Sequence, residues 1–104
     1  MDERTLIIDI VKKYKELVNN TLSVKIDRCW LYGSFAKGTQ DKYSDIDIAI
    51  EVEHIEDDLY WLILPLLWKL SYKIDNRIEP KLIVRDTDYA GFLDEIKNTG
   101  IEIY

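Results

Sequence analysis

The chain predicts a small α/β (α+β) domain with a sheet of three to four strands packed against helices. Three observations carry that expectation. Residues 3–19 place apolar side chains at helical spacing. Residues 45–53 alternate strictly, with Ile46, Ile48, Ile50 and Val52 on one parity and Asp45, Asp47, Ala49, Glu51 and Glu53 on the other. Residues 56–74 and 78–84 then read as a second long helix followed by a further strand.

Each element has its own reason. In the first helix Leu6, Ile7, Ile10, Val11, Tyr14, Leu17 and Val18 form the apolar stripe and lysines the other face. Asp2 is placed to cap it, and Asn19-Asn20 to stop it. Residues 24–32 read as a strand, with Ile26, Trp30 and Tyr32 on one parity and Cys29 and Leu31 on the other; Gly33 ends it. A short helix over residues 35–37 precedes a break at Gly38, and residues 39–44 are a polar loop. The isoleucine face of the strand over 45–53 belongs in the core, and its acidic face in solvent or a site. Asp57-Asp58 suit the first turn of the second long helix. Pro65 is expected to kink or interrupt that helix. Pro80 assigns the strand over 78–84 to a sheet edge or a bulge. Thr87 or Asp88 is expected to cap a last helix carrying Tyr89, Phe92, Leu93 and Ile96, which ends at Asn98 and Gly100; the tail 100–104 is extended.

The 104 residues read as one domain, 1–104. With 47% hydrophobic and 33% charged residues, the composition is that of a folded chain, not a disordered one. A formal net charge of −6 argues against general electrostatic binding of DNA or RNA. It leaves room for a nucleotide, because a bound divalent cation inverts the local charge. Cys29 is the sole cysteine, so intramolecular disulfides and cysteine–zinc clusters are excluded, and it reads as core filling. His54, the sole histidine, sits beside Glu53 and Glu56 as a surface residue. The N-terminus does not resemble a signal peptide. The longest apolar run, Leu59 to Trp68, is too short for a bilayer. A soluble cytoplasmic protein without membrane association is the expectation.

The chemistry concentrates in residues 33–47. Gly33-Ser34 follows an apolar strand, and ten residues separate Ser34 from Asp45-Ile46-Asp47. Gly33 lets the chain bend with positive φ and lets a ligand approach the backbone. Ser34 offers a hydroxyl, and the N–H groups after it point the same way, which suits phosphate. Asp45 and Asp47, two apart on a strand, share a face and can hold a divalent metal. Unpaired, they raise each other's pKa, and a cation removes that penalty. Lys37 is placed to reach a triphosphate, whereas Lys42 reads as solvated. Metal-assisted phosphoryl or nucleotidyl transfer calls for a third acid. Glu79 supplies it if its strand neighbours that of Asp45 and Asp47; otherwise it is an exposed acid paired with Arg77 or Lys81.

This Gly-Ser, spacer, Asp-x-Asp pattern, with Ser44 before Asp45, resembles the nucleotidyltransferase superfamily that includes DNA polymerase β. The size resembles its minimal nucleotidyltransferase (MNT) branch, whose members pair with HEPN-domain proteins in toxin–antitoxin modules. The resemblance covers nearly the whole chain and implies the small nucleotidyltransferase fold, with a mixed sheet. It implies ATP as substrate and two Mg²⁺ ions held by Asp45, Asp47 and Glu79, with Gly33, Ser34 and Lys37 binding the nucleotide. It implies transfer of AMP to a tyrosine of a HEPN ribonuclease toxin, which neutralises it. Two features depart from the family pattern. Phe35 stands where a second basic residue is common, and the third acid is Glu79 rather than Asp.

The run Leu59 to Trp68 is apolar all round, more than one buried stripe requires. Tyr60, Trp61, Leu64 and Trp68 are therefore candidates for a partner interface, in a hetero-oligomer with the toxin. The alternative for this helix is a central position, packed by sheet and first helix. Two other functions compete with protein modification: a small-molecule nucleotidyltransferase, for which the chain is short, and a non-catalytic module that blocks a toxin by contact.

Overall fold

Asp2 caps the first helix as its position predicts, its carboxylate accepting the Thr5 N–H at 2.8 Å. That helix, α1 (Glu3–Thr21), buries Ile7, Val11, Tyr14 and Val18. The computed structural model describes residues 2–87 and 91–104. In order after α1 come β1 (Arg28–Tyr32), the single-turn α2 (Ser34–Lys37) and β2 (Ile46–Val52). Then follow α3 (Asp57–Ile74), β3 (Ile78–Val84), a 3₁₀ turn (Arg85–Thr87), α4 (Phe92–Thr99) and β4 (Ile101–Ile103).

The four strands form one mixed sheet in the order β3-β2-β1-β4. β1 is antiparallel to both β2 and β4, and β2 is parallel to β3, so α3 is the crossover between them. α1 and α3 cover one face. Ile46, Ile48 and Ile50 of β2 are fully buried there with Leu31, Val11 and Leu67. The Tyr14 hydroxyl donates to the Leu67 carbonyl at 2.8 Å and pins the two helices together.

α4 covers part of the other face. Trp30, Ala49, Ile83, Leu93 and Ile96 form a second core there. This corrects the reading of the acidic parity as wholly solvent or site. Ala49 is buried in that cluster with Leu93 and Ile96, and Glu51 is inaccessible as well. Glu51 is held by charge-assisted hydrogen bonds. Trp30 Nε1 donates to its Oε1 at 3.2 Å and Arg85 to its Oε2 at 3.3 Å, while Arg85 also donates to Asp27 at 2.7 Å. Removing one partner leaves a buried carboxylate uncompensated. Arg85→Ala should therefore cost roughly 2–4 kcal/mol, towards the lower end because the guanidinium is half-exposed. Glu51→Gln, which keeps an acceptor for Trp30, should cost about 1 kcal/mol. Urea unfolding of the two variants checks both the size and the order.

Several boundaries differ from the sequence reading. The strand over residues 24–32 shortens to β1. Residues 24–27 lie outside it, although the Asp27 N–H still donates to the Glu51 carbonyl at 2.9 Å. Pro65 does not interrupt α3, because it sits on an exposed turn where water can satisfy the carbonyl that its missing N–H leaves free. α4 starts after Gly91, at φ 69°; Thr87 instead donates to the Val84 carbonyl and closes the 3₁₀ turn. Asp88 and Tyr89 lie outside the described residues.

Pro80 is at an edge, as expected. The Ile46 N–H donates to the Arg77 carbonyl at 2.8 Å, and Ile48 pairs in register with Pro80. In this parallel ladder residues 79, 81 and 83 turn their backbone groups toward β2. Pro80 thus lacks an N–H that the sheet never uses.

His54 is exposed, as predicted, and is held between Asp86 and Glu56. Hydrogen bonds from the ring to those carboxylates, Asp86 first, raise its pKa above the ordinary 6.5. A raised folded-state pKa stabilises the protein fully below the unfolded value, and that contribution disappears as pH rises through the folded value. NMR titration of the imidazole should therefore give a midpoint above 6.5, and Asp86→Asn should bring it down.

Among the described residues no helix is long and apolar enough to cross a membrane.

Candidate active site

β1 and β2 meet at their site ends, where Tyr32 lies opposite Asp47 in the antiparallel register. The chain then turns at Gly33, with φ 73° and ψ −152°. Only glycine holds that conformation without strain. It also has to be glycine for lack of room, since a Cβ at Gly33 would stand 2.1 Å from Asp47 Oδ2. The same turn that opens α2 at Ser34 is therefore pressed against the second aspartate. Ser34 begins α2, while Phe35 and Ala36 are buried beneath it. Phe35 belongs to the main core, so its place in the turn serves packing.

The loop before β2 is organised by Asp41. Its N–H donates to Ser44 Oγ at 2.9 Å, and its Oδ1 accepts the Tyr43 N–H at 2.8 Å. Ser44 thereby sets the approach to Asp45, which precedes the first residue of β2. Asp45 is exposed and Asp47 half-buried. Glu79 is beside them, because the parallel register pairs Asp47 with Glu79. Arg77, the alternative partner for Glu79, is taken by Asp75 through bonds of 2.8 and 3.0 Å.

The three carboxylates feel one another. Burial first, and then Asp45 and Asp47, raise the pKa of Glu79. Burial raises Asp47 and Asp45 adds to the rise, opposed by a hydrogen bond from Glu79 and by the charge of Lys81. Among the described residues no three His, Cys, Asp or Glu side chains are drawn together as a formed metal centre. The donor set nonetheless suits a hard divalent cation, being all-oxygen, anionic and mutually repelling, with a backbone turn against it.

Sequence reasoning missed four side chains. Tyr32, half-buried, has its phenol pKa pushed up by burial and then by Asp47 and Glu79. Phe92 packs edge-on against Tyr32, ring centroids 5.8 Å apart, and the Lys81 ammonium lies 4.7 Å from the Phe92 centroid. Lys81 was legible, because it sits two residues from Glu79 and so shares its face. Arg4 is a fourth and lies further back: it donates to the Ala36 carbonyl at 2.7 Å across 32 residues, which no local pattern announces. Lys37 is exposed at the end of α2, and Lys42 rests on the Tyr43 ring as a solvated side chain. Of the interface candidates on α3, Trp61 is exposed, whereas Tyr60 and Leu64 are partly buried against the core and Trp68 is partly buried.

A turn of a kind that suits phosphate thus stands against three carboxylates at the ends of adjoining strands. The family described as polymerase β nucleotidyltransferase matches residues 7–104. A protein of Methanocaldococcus jannaschii, named "Putative protein adenylyltransferase", is 35% identical over 98 residues, covering 93% of this chain and 98% of that one. The chain therefore belongs to the polymerase β-type nucleotidyltransferase family. Two solved structures share the fold. A "putative nucleotidyltransferase" from Sulfolobus solfataricus superposes with TM-score 0.68 at 18% identity, over 97% of this chain and 82% of that one. A toxin–antitoxin structure with AMP-PNP gives TM-score 0.62 at 20% identity, over 89% and 72%.

Proposed function

We propose that this nucleotidyltransferase is an antitoxin that transfers AMP from ATP to a tyrosine of a cognate HEPN ribonuclease toxin. The observation that carries the reading is the juxtaposition of the Gly33 turn, Asp47 and Glu79 on adjoining strands. Support for a protein acceptor comes from the 35%-identical relative named for protein adenylylation. Support for the toxin comes from the fold shared with a toxin–antitoxin structure.

Asp45, Asp47 and Glu79 would hold Mg²⁺, two ions in the full site, with Ser34 and Lys37 on the triphosphate. When bound, the metal neutralises charge on the triphosphate and on the entering and leaving oxygens. The turn at Gly33-Ser34 orients the phosphates through backbone N–H groups. The tyrosine oxygen forms a bond to the α-phosphorus as the bond from that phosphorus to the bridging oxygen breaks. Pyrophosphate leaves with the electron pair, and Glu79, the outer carboxylate, draws the phenolic proton away. Intracellular ATP and a cytoplasmic partner suit this reaction.

Leu62 and Tyr72, exposed on α3 like Trp61, extend the proposed partner surface beyond Tyr60, Trp61, Leu64 and Trp68. The test is to incubate the purified protein with ATP, Mg²⁺ and the protein encoded by the adjacent gene, then record intact masses. Addition of AMP to one tyrosine supports the reading. A tight complex without mass change would replace it with inhibition by contact, and AMP on a small molecule alone would replace it with small-molecule modification.

A further inference from the structure

A cavity of about 590 Å³ lies beside β3, and its lining shows where it runs. Lys81 and Ile83 come from the α4 side of the strand, Leu82 and Val84 from the α1–α3 side. Only a groove along the strand's outer edge is lined from both faces. Tyr60 and Trp61 of α3 form one wall, their rings in edge-to-face contact at 5.1 Å. Phe92 forms the opposite wall.

β3 ends the sheet, so among the described residues no strand lies beside this edge. Residues 80, 82 and 84 turn their backbone groups outward, by the register derived above. Pro80 has no N–H to offer, and the Val84 carbonyl accepts from Thr87 at 3.3 Å. Among the described residues the Leu82 N–H and C=O, the Val84 N–H and the Pro80 C=O remain as a short strip of donors and acceptors at strand spacing. A compact apolar ligand would bury them unpaired, which is costly, whereas an extended backbone satisfies them.

We infer that this edge docks an extended segment of the protein acceptor, added as a fifth strand, with side chains between Trp61 and Phe92. This rests on the reading of the enzyme as a protein modifier. The groove is continuous with the site through Lys81, which lines it and stands two residues from Glu79 on the same face of β3. Glu79 is three residues from Leu82 on the same strand, about 10 Å at strand rise. A docked segment therefore delivers an acceptor residue to the carboxylates from about three positions away. A second copy of this chain fits poorly, because a two-fold pair would press concave groove against concave groove.

The test uses the full chain and short random peptides with a central tyrosine, selected for binding from a displayed library. Selected peptides should shift and protect the Leu82 and Val84 amides in NMR spectra. N-methylation along the peptide should weaken binding at alternate positions, the period of a strand. Trp61→Ala should lower peptide affinity about tenfold. It should lower kcat/KM for AMP transfer to the peptide similarly, with the rate on N-acetyl-tyrosinamide unchanged. Failure to select any peptide, binding on another surface, methylation sensitivity without the two-residue period, or a peptide-free dimer through these amides would overturn the inference. Peptide bound at this edge with no AMP transfer to any acceptor would leave the docking strip standing and remove the proposed activity.

Discussion

Asp45→Asn and Asp47→Asn should each lower AMP transfer by about 10²–10³-fold, on the scale of losing one charged stabiliser from a preorganised site. The effect should fall on kcat, because in the proposed reaction these carboxylates act where charge moves between oxygens in the transition state. The folded protein should tolerate both changes. Asp47 is half-buried, and burial together with Asp45 works against its charge. In the absence of Mg²⁺, Asp47→Asn should melt no lower than the parent, because it removes a repelling anion and keeps the shape. The two readouts together, intact-mass AMP addition and a melting curve without metal, separate a site built for ligand from one built for stability. A variant that loses activity by unfolding would contradict this account.

Gly33→Ala should be the most damaging single-methyl change in the chain. Two costs coincide. The backbone at φ 73° and ψ −152° belongs to a region that residues with a Cβ enter only at about 1–3 kcal/mol. The added methyl would also meet Asp47 Oδ2 at 2.1 Å, so the turn or the aspartate must move. We expect a loss of about 3 kcal/mol or more in unfolding free energy and AMP transfer reduced as far as in Asp47→Asn. Gly38→Ala provides the comparison. Gly38 also has positive φ, 76°, but a Cβ there meets nothing within 4 Å. It should cost about 1 kcal/mol in stability and leave AMP transfer intact. Equal effects from the two substitutions would mean that contact with Asp47 is unimportant.

Much of the fold was legible because local pattern and long-range packing agree. The alternation of residues 46–52 placed the isoleucines correctly, and all of them are buried. Pro80 correctly announced an edge, because its missing N–H matters only where a neighbouring strand would use it. The pattern failed where a side chain's fate depends on what covers it. Parity alone could not distinguish Asp47, at the open end of β2, from Glu51, fully buried and held by Trp30 and Arg85. Pro65 was read as a kink or an interruption, and periodicity does not reveal that its turn faces water and that α3 runs on through it.

The site divides the same way. By itself the sequence determined the turn chemistry, the shared face of Asp45 and Asp47, and the presence of a strand carrying Glu79. Those are properties of one or two residues' spacing along a chain whose periods are known. Only the tertiary structure decided that β3 lies parallel and next to β2, which puts Glu79 beside Asp47. It alone showed that Gly33 is pressed on the Asp47 carboxylate, that Tyr32 and Lys81 border the acids, and that Phe92 packs against both of those side chains. Strand order and contact across a sheet depend on which buried surfaces find one another, and that information is held by the whole packed chain rather than by any segment of it.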